Sequence, residues 1–322
     1  MNSTIDFRHQ PSHDERYDEE YAGLPVAHAP WPEEDGPQPE AGSVAWRLCA
    51  SDWDDDPDDI REALDWFFNH VDTAKVTAMV IGNWGWCYED GPEFVIDRLA
   101  KDAYRLPALR SLFFGAITPD EAEISWIQQS DITPLMKEFP KLERLEVRGG
   151  TNLALDPVQH MSLRILRVET GGLESALVRS VAASDLPALE LLELWFGSEN
   201  YGGDTTIADL APILGGDRLP ALRHLRLQNA DFQDDIAAAM AGAPIVDRLE
   251  SLSLSMGSLT DAGAESLLTG QPLTHLRRLD LSHHYLSDAM MTQLTDALPG
   301  VELVLSGQRK PWRERRYVAV SE

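Results

Sequence analysis

The 322-residue chain has few cysteines, little basic charge and no long apolar run, and each shortage excludes something. Cys49 and Cys87 are too few for a disulfide framework or a cysteine-built zinc site. No apolar run approaches the ~18 residues that a membrane-crossing helix needs. The opening MNSTIDFRHQPSHDERYDEE lacks the apolar stretch of a secretory signal, so cytoplasmic residence is the expectation. Lys and Arg number 27 against 54 Asp and Glu, giving a formal net charge of −27. A surface of that sign repels nucleic-acid phosphates and anionic membranes, so neither is expected as a partner. The acid is concentrated early: residues 1–60 hold 16 Asp or Glu against 3 Arg, a net of −13. The C-terminal QRKPWRERRY reverses the sign.

Catalytic signatures are missing too. NYGGDTT and GGDRLP carry glycine pairs but no phosphate-loop lysine, and there is no G-x-S-x-G. Neither cysteine has a histidine close in sequence. The acidic DWDDDPDD suggests a calcium loop, but in the register from Asp52 the required Gly is Pro57 and the terminal Glu is Ala63. A helix start explains it better: Asp56 as cap, Pro57 in first position, Asp58 and Asp59 at the positive end. The chain is therefore expected not to be an enzyme and to hold no cofactor and no metal.

What the sequence has is a repeat. The apolar pattern L-x-x-L-x-L begins at Val76, Leu109, Leu142, Leu163, Leu189, Leu222, Leu249, Leu276 and Leu298. The intervals are 33, 33, 21, 26, 33, 27, 27 and 22 residues. Each unit predicts one short strand whose inward face only a neighbouring unit can bury. A helix should follow. Leu173, Phe232, Leu259 and Leu286 stand two residues before Ser175, Asp234, Asp261 and Asp288, which are placed to cap it. LPAL at Leu106, Leu186 and Leu219, with FPKL at Phe139, then stops the helix, because proline cannot continue one.

This pattern resembles leucine-rich-repeat proteins, with strand–helix units similar to the ribonuclease-inhibitor-like class, over about residues 76–305. The whole chain also resembles an uncharacterised bacterial family of leucine-rich-repeat proteins. The resemblance implies an α/β solenoid, a horseshoe with parallel strands on the concave face and helices on the convex face. Residues 1–43 are then an acidic, Pro-rich, partly disordered arm, 44–75 a strand–helix cap, 76–305 the solenoid and 306–322 a basic tail. The Asn or Cys that the family carries eight residues after the first Leu is here Trp84, Ile117, Gly150, Gly171, Gly197, Ala230, Gly257, His284 and Ser306.

The middle positions of the strands spell the row that faces out of the core: Val80, Phe113, Glu146, Arg167, Glu193, Arg226, Ser253, Asp280 and Glu302. Glu146, Arg167, Glu193 and Arg226 should pair along neighbouring strands, with Arg148 opposite Glu169. As exposed pairs they would contribute only ~0.2–1 kcal/mol each. The three 33-residue intervals carry extra residues after their strands: GNWGWCYEDGPE, TPDEAEISWIQQSD and WFGSENYGGDTT. These contribute Trp84, Trp86, Tyr88, Trp126, Gln128, Gln129, Trp195, Asn200 and Tyr201. With Arg148, they are the candidate contacts for a protein or peptide partner, since insertions in a solenoid collect on its binding edge. Two alternatives stand beside this reading. The aromatics could instead plug the widened turns, or an enzyme or accessory-subunit site could lie beneath them.

His283 and His284 follow Asp280 closely, yet no second histidine or carboxylate stands at metal-ligand spacing. Both are expected to belong to the framework, with a ring nitrogen of His284 doing the work of the missing Asn. Elemental analysis of the purified chain should find no stoichiometric metal that is lost on changing both residues.

Overall fold

A computed structural model of the chain describes residues 19–32, 36–50 and 56–321. Two compact units divide it, residues 1–153 and 154–322. Each is a stack of strand–helix repeats. The acidic residues 51–55 of the calcium-like stretch and most of the early arm lie outside the described residues.

The first unit contains β1 (Glu20–Tyr21), β2 (Leu24–Ala29), β3 (Ala45–Leu48), α1 (Pro57–His70), β4 (Ala78–Ile81), α2 (Glu93–Lys101), β5 (Ser111–Phe114), α3 (Thr133–Glu138) and β6 (Arg144–Arg148). β2 through β6 pair in parallel, each with the next, and β1 pairs antiparallel to β2. α1 starts as its sequence dictates: Asp56 accepts from the Asp58 amide at 2.9 Å and Pro57 takes the first position. Its Ile60, Leu64, Phe67 and Phe68 are buried. Residues 20–29, inside the stretch assigned to the arm, extend the sheet by a strand and then fold back as a hairpin.

That hairpin has a packing role. Val80 and Phe113 point away from the main apolar layer, and Tyr21 covers them, its ring 6.3 Å from that of Phe113. Tyr21, Ala45, Ala78, Val80, Phe113 and Ala116 form a second, smaller core, with Leu24 and Val26 packed on its side.

The second unit contains β7 (Ile165–Glu169), α4 (Ser175–Ala183), β8 (Leu191–Gly197), α5 (Ile207–Leu214), β9 (His224–Ala230), α6 (Gln233–Met240), β10 (Ser251–Ser253), α7 (Asp261–Thr269), β11 (Arg278–Asp280), α8 (Asp288–Ala297) and β12 (Glu302–Val304). β7 through β12 are parallel and in sequence order. Leu192, Leu225, Leu252, Leu279 and Leu303 share one register position and form a stripe that is buried up to Leu279 and half-buried at Leu303 on the last strand.

The last repeat differs from its sequence reading. Asp280 pairs with Val304, so Val304 holds the row position expected for Glu302. The repeat begins at residue 300 rather than Leu298. A two-residue slip keeps every side chain on its face, so apolar alternation cannot detect it. The shift carries through the turn, where His284 bridges to Gln308 instead of Ser306.

The helix caps also move. Thr260 and Ser287 cap α7 and α8, accepting from the amides of Ala262 and Met290 at 3.3 and 3.2 Å. The aspartates expected as caps stand inside their helices and reach the adjacent repeat. Asp234 accepts from the amide and hydroxyl of Thr260 at 2.7 and 2.6 Å. Asp261 accepts from the Ser287 amide at 2.7 Å, and Asp288 from Gln308 Nε2 at 3.0 Å. One carboxylate thus anchors the next helix start, twice running, and Asp288 makes the corresponding link to the Gln308 side chain. Ser175 is likewise the first residue of α4 rather than its cap, and its amide donates to Asp204.

Among the described residues no helix is long and apolar enough to cross a membrane. Leu225 is fully buried between Leu192 and Leu252. Leu225→Ala should lower unfolding free energy by roughly 2–5 kcal/mol in urea titrations, because a cavity opens where three repeats meet.

Candidate functional site

Long loops follow β4 and β5 in the first unit, and a backbone bond joins them: the Gln128 amide donates to the Cys87 carbonyl at 2.7 Å. Cys87 is buried, whereas Trp86 and Tyr88 on either side of it are 45% and 43% exposed. Trp126, two residues before Gln128, is 58% exposed. Three aromatic rings therefore stand out on two loops that are tied together. Ile124 and Ile127 anchor the second loop inward, on either side of Trp126. Asn152 donates to Gln128 Oε1 at 3.0 Å and holds its amide.

Trp86 adopts a left-handed backbone, φ 41°, immediately after Gly85. A bulky residue there costs of order 1–3 kcal/mol, so surrounding bonds must impose it. They do: the Trp86 carbonyl accepts from both Glu89 and Asp90 amides, at 2.8 and 2.9 Å.

The other candidates in these loops are structural. Trp84 is fully buried, stacked 5.8 Å from Phe114, with Nε1 donating to the Asp90 carbonyl at 3.0 Å. Gln129 is buried and donates to the Arg148 carbonyl at 2.7 Å. Arg148 is buried as well and donates to the Ile117 carbonyl at 2.8 Å. Trp84 thus fills the widened turn, and Trp86, Tyr88 and Trp126 do not.

The loop after β8 in the second unit lines a cavity of about 560 Å³. Phe196, Phe232 and Ile207 give it apolar walls, and Glu199, Asp204, Asp231 and Asp235 give it acid. Burial pushes the Asp231 carboxyl up; the Glu199 amide opposes this and the Glu199 charge adds to it. Gly197 opens the loop at φ 65°, where a Cβ would lie 1.7 Å from the Gly171 carbonyl oxygen, so no other residue fits. Asp204 accepts from the Ser175 amide, and Thr205 donates to the Leu173 carbonyl at 2.9 Å, pinning the loop to the previous repeat. Asn200 is exposed and Tyr201 half-buried. Trp195 is buried.

The charged row of the second unit is closed rather than open. Glu193 lies between Arg167 at 3.1 Å and Arg226 at 2.7 Å, and all three are buried. Trp195 Nε1 donates to Glu193 at 2.9 Å and to Gln228 at 3.1 Å, and Gln228 donates onward to Ser253 and Ser255 at 2.7 Å. In the first unit Glu146 is buried too and pairs with Arg144. The small contributions expected of exposed pairs do not apply to Arg167, Glu193, Arg226 and Glu146, because each of these charges is buried. Burial alone would raise the Glu193 carboxyl, but Arg167 and Arg226 outweigh it and hold it at about 2.

His284 sits in the row of turn residues with both ring nitrogens engaged. Nδ1 accepts from the Leu286 amide at 3.1 Å, which leaves Nε2 to donate to the Leu305 carbonyl at 3.0 Å. His283 occupies a left-handed position, φ 54°, matched by Asn229 and Met256 in the two preceding repeats and Gly307 in the next. Burial lowers its pKa. Among the described residues no group of three or more His, Cys, Asp or Glu could hold a metal ion.

The chain superposes on a crystal structure of a Bacteroides fragilis protein from a structural genomics consortium, with a TM-score of 0.77 and 29% sequence identity. The match covers 86% of this chain and 78% of that one. The two share a fold. A second likeness, to TLR13 in its complex with ssRNA13, has a TM-score of 0.42 and 16% identity, over 84% of this chain and 37% of that one. It is too loose to carry any inference. No family model and no curated protein matches the chain.

Glu193→Gln should cost roughly 3–5 kcal/mol at neutral pH, since two buried arginines would lose their countercharge. The carboxyl titrates near 4.5 when free of these contacts and near 2 in the folded chain. Its contribution is therefore complete above pH 4.5 and lost as pH falls toward 2. Urea titrations across that window should show a steeper acid loss in wild type than in Glu193→Gln. Arg167→Ala should destabilise by a similar amount.

Proposed function

We propose that the chain is a non-enzymatic leucine-rich-repeat scaffold that binds a protein or peptide through the exposed aromatics of its first unit. On this reading the repeats form a horseshoe, and the chain's kinship lies with bacterial proteins of that type. One observation carries the proposal: Trp86, Tyr88 and Trp126 stand exposed on two insertions that share a backbone hydrogen bond. Exposed rings on a held backbone lose little entropy on binding, and such aromatics dominate interface energetics. Glu89, Asp90 and Glu123 stand beside them in the same loops, so a partner with basic groups around an apolar centre fits best.

The cavity beneath the third insertion is what an enzyme reading would use. Its lining offers carboxylates and hydroxyls with no lysine, histidine or cysteine beside them. Its hydroxyls have no lysine or histidine base beside them, which supports the binding reading.

Trp86→Ala and Trp126→Ala should each weaken partner binding by ≥ ~2 kcal/mol while shifting stability by no more than about 0.5 kcal/mol. Trp84→Ala should do the reverse, losing roughly 3–5 kcal/mol of stability through its cavity. Quantitative co-purification with the full chain and each variant measures the first effect, and thermal melts measure the second. A partner retained by both exposed-ring variants would eliminate the patch. Turnover in a substrate screen, abolished by Asp231→Asn, would favour the enzyme reading.

A further inference from the structure

Residues 317–320 lie on the turn ridge of the second unit, held almost entirely by their backbone. Tyr317 accepts at its carbonyl from the Tyr285 hydroxyl at 2.9 Å, and its amide is 2.8 Å from the same oxygen. The Ala319 amide donates to the Met256 carbonyl at 2.7 Å. The Val320 amide donates to Asn229 Oδ1 at 2.9 Å, and the Asn229 amide nitrogen donates back to the Val320 carbonyl. Tyr285, Met256 and Asn229 come from three successive repeats, so the tail crosses the stack and uses one anchor per repeat.

Two of the anchors share an unusual backbone. Asn229 and Met256 have φ of 57° and 68°, at the same left-handed turn position of their repeats. A side-chain amide offers one donor group and one acceptor, as a peptide group does, so Asn229 reads the main chain of whatever residue lies against it. Side chains add an alternation. Val318 is buried, Ala319 exposed and Val320 half-buried, which is the pattern of an extended strand with every second residue inward.

The tail is tethered by a segment built to stand away from the body. Trp312 and Arg315 exchange backbone bonds at 2.9 and 3.0 Å around Arg313 and Glu314, both left-handed. Residues 309–317 are exposed throughout. The contact at residues 317–320 is thus small, and the chain leading to it is solvated.

We infer that the ridge formed by Asn229, Met256 and Tyr285 is a main-chain recognition site for an extended peptide, and that residues 317–320 fill it in cis. The ligand class follows from the occupant: a strand with β-branched residues at alternate positions, a small residue between them, and no Pro at the three positions, 317, 319 and 320, whose amides donate. The inference does not rest on the aromatic patch of the first unit. A tail tethered through residues 308–316 competes at an effective concentration of order mM, so an outside peptide must displace it.

An amidated, labelled peptide of the sequence Arg315 to Ser321 tests this by fluorescence anisotropy. It is titrated against the full chain and against the full chain carrying Val318→Asp and Val320→Asp, which empties the ridge. The variant should bind at least about tenfold tighter than wild type, because the competing tail is disarmed. The same peptide N-methylated at Val320 should bind at least about tenfold more weakly, having lost the donor that Asn229 reads. Absence of saturable binding to the variant, or equal binding of the methylated peptide, would overturn the inference. Amide exchange in the unaltered chain decides independently of variant stability. Ala319 and Val320 should exchange through local opening, at least about 100-fold faster than the Leu225 amide. Exchange of all three at one rate would make the tail a fixed part of the fold and refute a displaceable occupant.

Discussion

No repeat in either unit completes its own strand; each depends on the next. Leu225 has Leu192 on one side and Leu252 on the other, and only the three together exclude water. Polar groups obey the same rule. The amide of Thr260, at the start of α7, finds its acceptor on Asp234 of α6, and the amide of Ser287 finds its acceptor on Asp261 of α7. Apolar burial and helix capping are therefore both shared between neighbours. That coupling makes such stacks cooperative even though contacts in them are local.

This dependence decides which surfaces remain open. In the first unit the outward side of β4 and β5 is covered by Tyr21 from the hairpin. In the second, Arg167, Glu193, Arg226, Trp195 and Gln228 bond to one another and leave little for a visitor. Strand faces that would otherwise be obvious docking surfaces are occupied from within each unit. What extends outward is loop: the two joined loops after β4 and β5 of the first unit and the turn ridge of the second. Loops on a rigid frame are where binding residues are most often placed.

The strands were legible because their signal is periodic and repeated. Eight of the nine predicted strand starts hold, and the ninth slips by two residues, a shift that alternation cannot register. The caps were misplaced for a related reason: Thr260–Asp261 and Ser287–Asp288 offer two competent residues side by side, and tertiary contact chooses between them. Within the insertions, composition gave the aromatics but not their direction. Trp84 and Trp86 are separated by a single glycine, yet one stacks on Phe114 and the other faces solvent. The Tyr21 hairpin carries no periodic mark in so short a stretch. Burial of Arg167 and Glu193 was equally hidden, since a charged row reads the same whether it is wet or sealed.

The aspartate links between successive repeats have a bearing on how such a chain can change length. Each carboxylate is matched to a particular neighbour: Asp234 to Thr260, Asp261 to Ser287, Asp288 to Gln308. Copying the unit that carries both Thr260 and Asp261 would bring its own partner along, and the series would continue unbroken. Joining Asp261 instead to a unit without a free helix-start amide in that place would strand a carboxylate at the seam. Tandem duplication of these C-terminal units would thus keep every link, whereas joining unrelated units would leave a link unmade at the seam.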